Sequence, residues 1–94
     1  MTNETIKQCE EELEDVRQML TMVVAMINLG KVDVALNVTK DPQLHDIIHR
    51  CVEETEFKIT LSARFEDTVV RKVAIFSTLE DGTKVVTFEP YYVN

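Results

Sequence analysis

At 94 residues, 45% hydrophobic and 29% charged, the chain has the size and composition of one globular domain, close to the smallest that a hydrophobic core holds unaided. Its net charge of −7 is uneven: residues 1–56 carry twelve acids and five bases, and residues 57–94 carry five of each. The sequence has no basic patch for nucleic acid and an acidic half that anionic lipid would repel. It also has no apolar run near the ~20 residues of a membrane helix.

The start of the sequence lacks the charged, apolar and small-residue order of a signal peptide, so a cytoplasmic protein is expected. In that setting the sequons at Asn3 and Asn37 carry no meaning, and Cys9 and Cys51 are free thiols packed as small hydrophobes.

Residues 3–29 predict one long helix, capped by Asn3 or Thr5 and ended by Gly30, with Thr5 to Gln8 fitting a capping box. Ile6, Cys9, Leu13, Val16, Leu20, Val23 and Ile27 alternate spacings of three and four, which makes a heptad seam. Acidic residues surround the first half of the seam. Met19, Met22, Val24, Met26 and Leu29 widen the second half until it is apolar nearly all round, so it needs cover on several sides.

In residues 31–40, Val32, Val34, Leu36 and Val38 alternate as in a strand, yet Asp33 can cap a two-turn helix ending before Asp41-Pro42. A helix is favoured here, as the link of a helical hairpin. Residues 42–55 predict a further helix, with Asp41 as N-cap, Pro42 at its first position, and Leu44, Ile47, Ile48, Cys51 and Val52 on one buried face.

The period then changes to two. Phe57, Ile59, Leu61, Ala63 and Phe65 alternate with polar residues in a half-buried strand. Residues 68–79 and 83–89 predict two more strands, joined by a two-residue turn at Asp81-Gly82. That turn sets Leu79 opposite Lys84, Ser77 opposite Val86 and Ile75 opposite Phe88. Val73, Ile75, Val86 and Phe88 then share one face, while Val70, Phe76 and Val85 make the other apolar enough to need cover too. The expected fold is α+β in a single domain over 1–94: a long N-terminal helix and helical hairpin, then a three-stranded antiparallel β-meander.

Few residues suggest chemistry. His45 and His49 stand one helical turn apart, with Glu53 one turn further as the only local third ligand for a metal. The usual base of the His-Glu-x-x-His motif is replaced by Asp46, so hydrolysis is not expected. Met19, Met22 and Met26 have the spacing of a thioether site for a soft metal, but methionines of this kind more often form an adaptable surface. Cys9 lies in an acidic helix and Cys51 on a buried face, so neither predicts a reactive thiolate. Lys58, Arg64, Arg71 and Lys72 fall on strands, as the exposed side of a sheet or a small basic strip. Tyr91 and Tyr92 pack over the sheet edge or offer rings to a partner.

Together these features predict a small acidic protein without enzymatic activity or cofactor, acting by protein–protein contact as an inhibitor, antagonist or adaptor. Phage-encoded proteins, antitoxins and immunity factors share this size and charge. The expected homo-oligomer, most simply a dimer, forms through Leu13, Val16, Met19, Leu20, Val23, Met26 and Ile27. Glu10, Glu11, Glu14 and Asp15 would meet a basic partner protein. The alternative is a small-molecule or metal-binding module using His45, His49 and Glu53 between helix and sheet.

Overall fold

The computed structural model describes the backbone of residues 3–90 and 92–93 and the side chains of residues 4–90. Helix α1 spans Asn3–Asn28, α2 Val32–Val38 and α3 Pro42–Glu53. Strands β1 (Glu56–Phe65), β2 (Thr68–Thr78) and β3 (Lys84–Phe88) follow, with the short β4 (Tyr92–Val93) pairing β2 beyond the end of β3. The fold is the α+β arrangement that the change of period from 3.6 to 2 predicts. The sheet order is β1-β2-β3, all antiparallel.

Helix α1 ends where its sequence says it must. Gly30 takes φ +74°, its N–H bonds Ile27 O at 3.0 Å, and the Lys31 N–H bonds Met26 O at 2.9 Å. This is the Schellman pairing of two otherwise orphaned carbonyls. Thr5 lies inside the helix, buried, and the Asn3 side chain falls outside the described residues. The alternation in residues 31–40 is not a strand: α2 buries Ala35, with Val32 and Leu36 half-buried at helical spacing, and leaves Val34 and Val38 exposed. The N-cap of α2 is Lys31, and Asp33 sits in its first turn. Asp41 caps α3 by accepting from the Gln43 N–H at 2.9 Å, with Pro42 at the start. Val52 is 51% exposed and does not join the buried face that Ile48 and Cys51 form.

The hairpin between β2 and β3 corrects the expected register. The Leu79 N–H bonds Thr83 O at 2.8 Å, so the loop is the three residues Glu80, Asp81 and Gly82, with Gly82 at φ +91°. A three-residue loop ending in a left-handed glycine competes with the two-residue turn that the same Asp-Gly pair suggests. Thr78 therefore faces Lys84, Phe76 faces Val86 and Ala74 faces Phe88. A one-residue slip exchanges the faces. Phe76, Ala74, Val86 and Phe88 line the side toward the helices, while Val73, Ile75 and Val85 face away.

All three helices lie on one side of the sheet. The central cluster joins Leu20 and Val24 of α1, Cys51 of α3, and Phe57, Ala74 and Phe76 of the sheet. Cys9 and Leu13 pack on Ala63 and Val70 toward one end, and Val23 packs on Ala35 and Ile48 toward the other. The heptad seam of α1 is thus used inside the chain. The opposite sheet face carries no element among the described residues, contrary to the expected cover on both sides, and Val69, Val73, Ile75 and Val85 there are half-buried.

One polar clasp fixes α1 against the sheet. The Asn28 amide donates from Nδ2 to Lys84 O and accepts from the Lys84 N–H through Oδ1, both at 2.8 Å. A side-chain amide thereby completes the first residue of β3 as a neighbouring strand would. Asn28→Ala is expected to lower unfolding stability by about 1–2 kcal/mol, the range for two exposed hydrogen bonds, read as a shift in urea midpoint at unchanged slope. An unshifted midpoint would show that the clasp contributes nothing.

Candidate functional site

A groove of about 1060 Å³ lies between α1, α3 and β1. Its shape follows from how the helices meet the sheet. Helix α1 packs on all three long strands, while α3 touches the sheet chiefly near Phe57 through Cys51. The wedge between the helices stays open above the middle of β1, so Ile59 and Leu61 on its floor are only half-buried. Val16 and Met19 of α1 form one wall, and Leu44 and Ile47 of α3 the other. Met19 and Met22 are 41% and 45% exposed at the rim, where Glu12, Asp46 and Glu53 add acidic charge and Lys40 and Arg50 basic charge.

Of the residues expected at an oligomer interface, Leu13, Leu20 and Val23 are at most 3% exposed and face the chain's own sheet and helices. The cover of these three side chains comes from within the chain. Val16, Met26 and Ile27 are half-buried at the margins of the core, which leaves Met19 as the one member of the set offered to solvent. Met22, from outside the set, stands beside it.

The acidic residues divide in a similar way. Arg17 holds Glu14 through two guanidinium nitrogens, Nε and Nη2, one contact being Nε to Oε2 at 2.8 Å, and this bonding holds the Glu14 carboxyl below its usual range. Lys72 adds a smaller pull on Glu14. Glu11, Glu12 and Asp15 are exposed and Glu10 half-buried, free of ion pairs among the described residues. Lys72 does not lie with Lys58, Arg64 and Arg71: it points to the helix side, 6.0 Å from the Phe88 ring centre, and closes a second, smaller hollow with Lys7, Glu10 and Glu14.

The histidine pair does not assemble a metal site. His45 Nε2 donates to Leu36 O at 2.9 Å and Thr39 O at 2.5 Å, which binds α3 to the end of α2. That satisfies two carbonyls otherwise orphaned at a helix end. His49 and Glu53 line the groove, away from this contact. Among the described residues no three His, Cys, Asp or Glu side chains stand where one ion could be shared. The spacing in sequence is correct for a shared ligand pair; a tertiary hydrogen bond decides otherwise.

Both cysteines are buried. Cys9 is fully enclosed with Sγ 4.0 Å from Thr68 O, and burial pushes the Cys51 thiol up to about 11 against the smaller opposing pull of Lys84 and Arg50. At pH 8 the native protein should resist a disulfide-exchange reagent for hours, while the urea-unfolded chain should release two equivalents at once, because only thiolate attacks. A thiol that reacts quickly in the native state would contradict this packing. The tyrosine rings fall outside the described residues.

No family model, curated protein or solved structure matches the chain. No described helix is long and apolar enough to cross a membrane.

Proposed function

We propose that this chain is a small cytoplasmic protein-binding module without enzymatic activity that works by protein–protein contact as an inhibitor, antagonist or adaptor. The observation that carries the reading is the α1–α3 groove. An apolar trough with two exposed methionines on its rim offers adaptable contact area, which suits a helix or loop of another protein. The exposed acids at Glu11, Glu12 and Asp15 on the same helix favour a partner with basic residues beside its apolar anchor.

The test is affinity capture from the native host with wild type and with the pair Met19→Glu/Met22→Glu, at low and high salt. Because both methionines are exposed, the variant should melt as wild type does. Partners held by wild type should be lost from the variant and weakened by salt. An identical set on both baits, unaffected by salt, would remove the groove from the function.

A further inference from the structure

We infer that two copies of this chain associate through β1, edge to edge, with Thr60 on the two-fold axis. The inference rests on the reading above that the protein acts by association with other proteins, and it commits to a second copy as the occupant of this edge. Among the described residues β1 and β3 are the outer strands of the sheet, and Asn28 occupies the backbone groups of Lys84 at the start of β3, whereas β1 has no such clasp. Strand β1 is ten residues long, pairs with β2 at every position without a bulge, and contains no proline. A long regular edge presents a row of unpaired N–H and C=O groups and is normally blunted by bulges, prolines or inward charges. This one carries charge only on its outer face, at Glu56, Lys58 and Arg64.

Those charges choose both the partner and the register. Residues opposed in an antiparallel pair must lie on the same face. Self-pairing about a two-fold axis therefore centres on a single residue of β1. Centred on Thr60, Glu56 of each copy faces Arg64 of the other, so two opposite-charge pairs form by symmetry. Lys58 faces Ser62, and Thr60 faces itself, a favourable cross-strand pair. On the helix side Ile59 meets Leu61 and Phe57 meets Ala63, apolar against apolar. Centring on Leu61 instead sets Lys58 against Arg64 and Glu56 against Glu66, which like charges disfavour.

The groove supplies the second argument. Ile59 and Leu61, on its floor, are half-buried, and no described element covers them at this edge. In the Thr60-centred pair they are joined by the same two residues of the second copy, and the two groove floors run together. Glu56 and Arg64 are exposed and make no ion pair among the described residues, so both are available. Strand β1 bears one acid and two bases, and a contact here avoids the acidic first half of α1.

Light scattering of the unmodified chain at micromolar concentration should give twice the mass of the monomer. Arg64→Glu, which sets acid against acid, should give the monomer, and the double variant Glu56→Arg/Arg64→Glu should restore the dimer. Thr60→Cys should form a disulfide-linked dimer under mild oxidant, while Ser62→Cys, opposite Lys58, should not; the native thiols are too buried to interfere. A monomeric wild type, or Ser62→Cys cross-linking as readily as Thr60→Cys, overturns the proposal. Each variant is compared with wild type by melting, so a folding failure is not read as a monomer. Capture of a partner by a monomeric wild type would sink this interface and leave the protein-binding reading standing. A dimer that captures nothing would do the reverse.

Discussion

Replacing Leu20 by alanine should lower the stability of this domain by about 3–5 kcal/mol, and replacing it by aspartate should abolish the folded state. Leu20 is fully buried where α1 crosses the sheet, within the cluster of Val24, Cys51, Phe57, Ala74 and Phe76. Truncation removes most of an apolar side chain and leaves a void that a helix and a sheet, each held along its length, cannot close. A domain this small has on the order of 5–15 kcal/mol in total, so the loss is a large part of it. The adjacent Met19→Ala, on an exposed side chain, should cost under about 0.5 kcal/mol. Equal costs at the two positions, measured by urea unfolding, would mean that α1 turns a different face to the sheet.

The second large effect is expected at Phe76, where alanine should cost about 3–5 kcal/mol. Phe76 is 3% exposed near the C-terminal end of β2 and stacks on Phe57 with ring centres 4.5 Å apart and planes 3° from parallel. The Arg50 guanidinium lies 4.3 Å from the Phe57 ring centre on α3 and is held there by Glu54, with Nε to Oε2 at 2.7 Å. This stack ties α3 to the sheet. A double-mutant cycle with Phe57→Leu and Phe76→Leu should show a coupling of about 0.5–1.5 kcal/mol, the value of an aromatic pair beyond its buried area. Additive losses would mean that the rings contribute area alone.

Two functional expectations fared differently under the same packing. The seam of α1 was legible as a buried stripe, but periodicity reports only that a face is covered. A heptad pattern reads the same whether a second helix or the chain's own sheet lies across it. The His45/His49 pair was legible as a spacing, yet His45 turns to the carbonyls of Leu36 and Thr39, which sequence distance does not reveal. The Asn28 clasp on Lys84 gave no signal, because a polar residue at the end of an amphipathic helix reads as solvent-facing. The open groove was equally hidden. Val16, Met19, Leu44, Ile47, Ile59 and Leu61 each fit a core pattern, and only the splay of α1 from α3 leaves them uncovered.

What the sequence determined by itself is local and periodic: two helices on either side of a segment that reads as helix or strand, then strands, an Asp41-Pro42 start to α3, a Gly30 stop to α1, and an acidic first half. These depend on backbone conformation, capping and the spacing of apolar residues, all of which act within a few positions along the chain. Only the tertiary structure decided the rest. One hydrogen bond from Leu79 to Thr83 lengthened a turn by a residue and exchanged the faces of β3 relative to β2. The chain's own sheet and short helices covered the buried residues of the α1 seam. The edge of β1 was left open because the strand order places it outermost, and strand order is set by how whole elements pack rather than by any residue within them.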